Sequence, residues 1–502
     1  MFFGMWIFLF FYRMSALGNP PYWDSILGMF QEGIWLYEND FNYLKLAREE
    51  LGYLAGGPRT YFFSWLPGFY AVLMHVFPTV KSTFVFLHVL NFLFAAALAG
   101  MVVRLLHKRV GYPLAIGTSL AMCLQPMFIA QASMMGNDLM LAGLCLLGFW
   151  LYVQRKHGWA ILTMIVAVTV KPMPALMSIC LAGGFALFHL KSRRDLLLLA
   201  GYLMPVIYFS GWARLAAWLF FRPDTNPIGN DTFFPAGASR LDYLREQTLM
   251  MFNQLPDVMA LVLGVLFFHV GLILWSVRKN LLKPLTWRTC LLPHEMPLIL
   301  ALALGGLILE SILIISWLPR YLLFLYPAIF ILLALALKPL PAKIGLPFLG
   351  LLVVFFSANH HGRFYRSPAL NNGYILERSL EYEEDLHLNR EIVSTLVADY
   401  ADRTVLAHWP QAQILAHPGF GYVAEPLDVI AVNRPAMAWA GVAYFGELAV
   451  EQRRATGNIW LDANNLFGTG LGIRPGLDHK LETFTSGTRS ARLWEKTFGR
   501  TF

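Results

Sequence analysis

The chain has 502 residues, of which 57% are hydrophobic and 14% charged, and its formal net charge is +8. Soluble proteins carry about 25% charged residues, so this composition is that of a membrane protein. The positive charge does not point to nucleic acid, because most basic residues before residue 357 stand in short clusters between apolar runs, where they orient a chain in a bilayer.

The apolar runs approach the length that crosses about 30 Å of hydrocarbon. They predict helices at approximately 1–13, 80–104, 111–130, 139–153, 158–170, 174–190, 196–220, 257–276, 296–317, 321–337 and 343–357, about eleven spans. The first, "MFFGMWIFLFFY", is short and lacks a basic n-region and an A-x-A site; it reads as a first helix, with a retained signal anchor as the alternative. A long connector follows, 14–79. Its stretch "ILGMFQEGIWLYENDFNYLKLAREEL" predicts surface-lying amphipathic helices with Glu32 and the later acids on a solvated face, and 60–78 predicts a shorter amphipathic or re-entrant segment.

Alternate connectors are basic: Arg104, Lys108 and Arg109; Arg155 and Lys156; Lys191, Arg193 and Arg194; Arg278, Lys279, Lys283 and Arg288; Lys338 and Lys343. The positive-inside rule makes these cytoplasmic. The connectors 14–79, 131–138, the turn at Lys171, 221–256, the turn at Arg320 and the tail after 357 then face outward. On the cytoplasmic side the sequence shows charge clusters with no acid/base pairing, so chemistry is expected at the outer face.

Five residues there are candidates for it. Asp24, in "NPPYWDSILG", follows two prolines and two aromatics at the membrane exit; a carboxylate there either takes a proton from a reacting group or caps the helix that follows. Asp138, in "QASMMGNDLMLAGL", stands at the outer start of a span, again a site or a cap. Arg59 in "GGPRTYFFSW", Lys171 in "VTVKPMPAL" and Arg320 in "SWLPRYLLFLYP" are cations at the same face, either phosphate ligands or side chains reaching lipid headgroups. Convergent carboxylates and cations suit chemistry on a lipid-linked phosphate, with cations holding the leaving group and a carboxylate taking the acceptor's proton. His360 and His361 follow the last span and have an interfacial role by default, since adjacent histidines on one element chelate poorly. The sequon at Asn230 is a weak signal. Cys123, Cys145 and Cys180 lie in apolar runs and Cys290 in a basic connector, with no zinc spacing and no disulfide framework.

From 358 to 502 the chain reads as soluble and long enough to bury its own core as one α/β domain. "EEDLHLNREIVSTLVADYA" predicts a helix, "TVLAHW" a strand, "QAQILAH" a short helix, and "LDVIAV" and "GNIWLDA" further strands. "GTGLGIRPG" lacks the strand–helix context of a nucleotide loop and reads as a loop.

The order of these motifs resembles the GT-C superfamily of polyprenyl-phosphate-sugar-dependent glycosyltransferases, in particular the family of the lipid A aminoarabinose transferase and the protein O-mannosyltransferases. "PPYWDS" resembles their acidic residue after the first span, "GGPRTYFFSWLPGFYAVL" the end of their first loop, and "GNDLMLAGL", "VKPMPAL" and "PRYLLFLYPAIFILLA" their later site motifs. Ser25 and "GGPRTY" depart from the second acid and the Lys-Pro-Pro or His-Pro-Pro of many relatives.

The resemblance implies a polytopic α-helical membrane domain over 1–357, with an extracytoplasmic α/β domain over 358–502. It implies transfer of a sugar, with inversion, from a polyprenyl phosphate to a lipid, glycan or protein acceptor at the outer face of the plasma (inner) membrane. Asp24 and Asp138 are then catalytic carboxylates, and Arg59, Lys171 and Arg320 donor-phosphate ligands. No cofactor is certain, a divalent cation is possible, the other partners are membrane lipids, and no nucleic acid is expected. A transporter and a non-catalytic assembly subunit are the alternatives. The transporter has against it the absence of an internal repeat and a single clearly mid-span acid, Glu310.

Overall fold

The computed structural model describes residues 1–22, 25–43, 65–171, 173–208, 245, 248–249, 252–253, 255–280, 294–313, 319–365, 378–407, 411–431, 459–463, 479–486 and 489–495. Asp24, Arg59, the sequon, Cys290 and the "GTGLGIRPG" stretch lie outside these residues, as does the side chain of Glu310.

Each predicted span carries a helix. In chain order the helices are α1 (Phe2–Tyr12), α2 (Gln31–Glu38, entered through a π turn at Ile26–Phe30), α3 (Leu66–Val76), α4 (Val80–Val110), α5 (Tyr112–Cys123), α6 (Pro126–Ser133) and α7 (Asp138–Val153). They continue as α8 (His157–Val170), α9 (Pro174–Phe188), α10 (Arg193–Ile207), α11 (Pro256–Asn280), α12 (Glu295–Leu313), α13 (Tyr326–Leu337) and α14 (Ala342–Ala358). Among the described residues, Val80–Val110 and Pro256–Trp275 are long and apolar enough to cross a bilayer, and the α5–α6 pair makes a third if counted together. Several others, α7, α8 and α9 among them, have 10–17 residues, below the roughly 20 of a full span, so the expected eleven spans are not established by length.

Two predicted spans need correction. The run 111–130 is two helices bent by 63°. Pro126 has no N–H to continue the ladder, and the Gln125 side chain caps the second helix by accepting from the Met127 and Phe128 amides at 2.8 and 3.2 Å. The run 321–337 begins as a 3-10 turn at Pro319–Leu325 and becomes α-helical at Tyr326.

The centre of the bundle is α4, 31 residues and about 46 Å long. It starts from a capping box in which Thr79 Oγ1 accepts from the Ser82 amide at 3.1 Å and the Thr79 amide donates to Ser82 Oγ at 3.2 Å. Small residues on its buried face, Ala95, Ala96 and Ala99, let neighbouring helices approach closely. Asn91, also buried, donates to the carbonyls of Gln131, Ala132 and Met134 at 2.8, 3.0 and 2.7 Å. These include carbonyls that the end of α6 leaves without helical partners, so Asn91 fixes the turn that leads into α7.

In the first connector, α2 packs against α3, and a Cβ at Gly33 would lie 2.5 Å from the Tyr70 ring and 2.9 Å from the Pro67 carbonyl oxygen. That close approach buries Glu32, contrary to the expected solvated face. Burial, and to a smaller extent the charge of Glu32, pushes the nearby Tyr43 phenol up, while a hydrogen bond to the Gly68 backbone pulls it down.

The C-terminal segment contains α15 (Tyr382–Asp399), β1 (Val405–Ala407), α16 (Gln411–Ala416), β2 (Val429–Ala431), β3 (Ile459–Ala463), β4 (His479–Ser486) and β5 (Arg489–Glu495). The strands form one sheet in the order β2-β1-β3-β5-β4. β1 is parallel to β2 and β3, whereas β5 is antiparallel to β3 and β4. Leu388, Ile392 and Leu396 of α15 cover Val405, Ile459, Phe484 and Leu493 of the sheet, and this core is continuous with Ile26, Phe30, Ile34, Tyr70 and Phe84.

Candidate functional site

Three of the five predicted residues are described, and the fold brings them together. Asp138 opens α7 and is buried, with its carboxylate delivered by the turn that Asn91 holds. Lys171 caps the end of α8 in extended backbone, three residues before α9 begins at Pro174. Its Nζ donates to Asp138 Oδ1 at 2.6 Å. Arg320, buried in the 3-10 turn, brings Nε to 4.0 Å from Asp138 Oδ2. The helix-cap alternative for Asp138 is not what the structure shows: the residue is already inside the helix, and its carboxylate serves two cations rather than the α7 amides.

Chemically, the Asp138 carboxylate lies between an ammonium and a guanidinium, a place from which it orients the two cations. Lys171 uses one of its three N–H donors on Asp138 and keeps partial access to the surroundings, with 24% of its side chain exposed. Such a lysine suits an anionic oxygen brought to the same end of the bundle.

A second polar cluster occupies the opposite ends of the same helices, about 24 Å away along α7. Glu295 Oε1 accepts from the Tyr152 hydroxyl at 2.8 Å and pairs with His189 Nε2 at 2.6 Å, while Oε2 accepts from Arg155 at 3.2 Å. The expectation of no acid/base pairing among the basic connectors is therefore wrong. Glu295 is distant in sequence from Arg155 and His189, and packing of α9 against α12 creates the pairing.

His360 also has a defined structural place. Its Nε2 bonds the Leu124 carbonyl at 2.9 Å and its Nδ1 the Tyr12 hydroxyl at 2.6 Å, tying the end of α14 to α1 and to the α5–α6 bend. Among the described residues no three His, Cys, Asp or Glu side chains gather as a metal site requires. Of the residues that organise this region, the reading of the sequence passed over Asn91; a polar side chain in the middle of an apolar run was the available signal.

The fold is similar to that of two solved structures, and the likeness extends over almost the whole chain. ArnT from Cupriavidus metallidurans in the apo state covers 98% of this chain and 97% of its own, with a TM-score of 0.54 at 13% identity. The same protein bound to undecaprenyl phosphate gives a TM-score of 0.53 at 14% identity, with the same coverage. No family model matches the sequence, and no curated protein matches it.

Proposed function

We propose that the protein is an integral membrane glycosyltransferase that moves a sugar from a polyprenyl-phosphate donor to an acceptor at the extracytoplasmic face, with inversion. The observation that carries this reading is the Asp138–Lys171–Arg320 cluster, set at one end of a bundle that shares its fold with ArnT, a protein also seen with undecaprenyl phosphate. In this reading residues 1–357 are the catalytic membrane domain of an inner-membrane protein and 358–502 an extracytoplasmic domain.

Lys171 and Arg320 hold the donor phosphate together with Arg59, and Asp138 keeps the first two cations oriented. Asp24 takes the acceptor proton. The acceptor hydroxyl oxygen attacks the anomeric carbon on the face opposite the phosphate. The new C–O bond forms as the bond to phosphate breaks, its electron pair leaves on the phosphate oxygen, and the proton passes to the Asp24 carboxylate. The products are the inverted glycoside and free polyprenyl phosphate. Cations stabilise the charge that grows on the departing phosphate, where preorganised donors contribute most.

The test uses the full chain in lipid nanodiscs, first with undecaprenyl phosphate as a binding probe and then with a panel of polyprenyl-phosphate hexoses and pentoses. The reading expects binding of the lipid phosphate that weakens in Lys171→Ala, and release of lipid phosphate from one of the donors that is lost in Asp24→Asn. It is overturned if the wild-type chain neither binds the lipid phosphate nor consumes any donor.

A further inference from the structure

The chain leading into Asp24 is held from outside the bundle. Asn19 Oδ1 accepts from Arg390 at 2.7 Å, the Pro21 carbonyl accepts from the Tyr422 hydroxyl at 3.1 Å, and the Tyr22 hydroxyl donates to Asp385 Oδ2 at 2.9 Å. All three anchors belong to the C-terminal segment, Asp385 and Arg390 on α15 and Tyr422 beyond α16. Just upstream, Arg13 pairs with Glu383 in the first turn of α15 and donates through Nε to Ser133 Oγ at 2.7 Å. Contacts from the same segment continue past Asp24. The Tyr70 hydroxyl donates to the Gly419 carbonyl at 3.1 Å, and His417 Nε2 pairs with Glu38 at 2.8 Å. The fit at this loop is close, since a Cβ on Gly419 would lie 2.8 Å from Ile34 and one on Gly421, at φ +75°, 2.5 Å from Phe84.

Two features separate this arrangement from ordinary packing. The bonds fall on residues 19, 21 and 22, a short Pro-Pro stretch with few amides to make its own backbone ladder. Asn19, Tyr22 and Asp385 are also buried, so water does not replace the bonds once they are lost. An extended stretch of this kind takes its position from its partners, and here the partners sit on a separate segment about 360 residues further along the chain.

We propose that the C-terminal segment is the positioning element for the chain that enters the site, with Asp385, Arg390 and Tyr422 as positioning residues for 19–22. The inference rests on the transferase reading in assigning Asp24 to chemistry. Docking of this segment then governs the rate of transfer at a given donor occupancy, because a misplacement of about 1 Å at a reacting group costs up to about a hundredfold in rate.

The experiment compares full-length wild type with Tyr22→Phe/Tyr422→Phe, which keeps both rings and removes two hydroxyls, with Asp385→Asn, which keeps an acceptor for Tyr22, and with Arg403→Ala, which breaks the Arg403–Glu495 pair at the sheet. Hydrogen exchange is read over 17–30 and over α4, beside transfer kinetics. The double variant is expected to exchange about tenfold faster over 17–30 with α4 unchanged, and to lose about tenfold in kcat while KM for the donor stays within about twofold. Asp385→Asn, which replaces a charged acceptor by a neutral one, is expected to shift both readouts in the same direction as the double variant but by less, and Arg403→Ala to stay near wild type. The proposal is overturned if exchange over 17–30 does not rise, if exchange rises uniformly through α4, or if it rises locally with kcat unchanged. Should the wild type transfer no sugar at all, the transferase reading fails, while the exchange result still decides whether the C-terminal segment holds 19–22.

Discussion

Helix α7 carries a polar cluster at each end, and the two clusters are built differently. At the Glu295 end, one carboxylate receives a tyrosine, a histidine and an arginine, and both of its oxygens are engaged within the protein. At the Asp138 end, the carboxylate is shared by two cations, one of which is a lysine with 24% of its side chain exposed. The first arrangement completes itself and ties three helix ends together. The second leaves its lysine partly exposed, where the proposed function places the donor phosphate. Polar groups next to apolar helices are expensive in both places, so the difference lies in what offsets the cost: internal pairing at one end and, in the proposed function, a bound phosphate at the other.

The sharpest way to break this contrast is to remove the cation at the Asp138 end. Lys171→Ala is expected to lower transfer by about a hundredfold to a thousandfold, the loss seen when one preorganised donor to a developing charge is deleted. Donor turnover in nanodiscs checks this, and the contrast fails if the variant melts early but turns over normally. Glu295→Ala should do the reverse. It leaves His189 and Arg155 without their acid, at a cost of about 2 kcal/mol in stability, less than for a fully buried pair because 51% of the Arg155 side chain is exposed. Turnover per folded molecule should be unchanged, and a fall in turnover with an unaltered melting curve would place function at both ends.

Asn91→Leu sharpens the comparison at smaller scale. It removes the donor to three carbonyls next to α7 and should cost about 1–3 kcal/mol, the penalty for leaving buried acceptors unpaired. Because the loosened turn carries Asp138, transfer should fall along with stability, and the Asn91→Asp variant should not restore it, since a carboxylate cannot donate. Parallel melting and turnover measurements separate this outcome from the stability-only effect expected at Glu295.

How much of this was legible in the sequence follows the range of the interactions. Apolar periodicity is local, and it located the helices from α1 to α14 and the first part of the C-terminal sheet. Its failures have local causes of another kind, the Pro126 break inside an unbroken apolar run and the 3-10 turn ahead of Tyr326. The hairpin of β4 and β5 escaped notice although "HKLETFTSGTRSARLWE" carries alternation around a two-residue connection containing Gly487. Asp138, Lys171 and Arg320 were singled out because each interrupts or ends an apolar run. That they meet depends on how α7, α8 and the 3-10 turn pack, which no single segment encodes. Glu295 and the anchors of residues 19–22 were invisible for the same reason, each pairing joining parts of the chain more than a hundred residues apart.

The weakest expected effect tests the joint between the end of α14, α1 and the α5–α6 bend. His360 bonds the Leu124 carbonyl through Nε2 and the Tyr12 hydroxyl through Nδ1, a pattern that suits the neutral ring, with Nε2 donating and Nδ1 accepting. Burial lowers its pKa from the ordinary histidine value; the hydrogen bond to the Leu124 carbonyl opposes this in part, and the neighbouring His361 and Arg13 add smaller downward shifts. The folded protein thus resists protonation that the unfolded chain accepts near pH 6.5. The unfolded state binds more protons below that point, so the contribution of His360 is fully present above about pH 6.5 and is lost as the pH falls through the unfolded value towards the folded one. The melting temperature should therefore decline on acidification below about pH 6.5, and His360→Gln, which keeps a donor and an acceptor but does not titrate, should flatten that decline. An identical slope in the variant would move the pH dependence elsewhere and leave the ring as a packing element of the linker after α14.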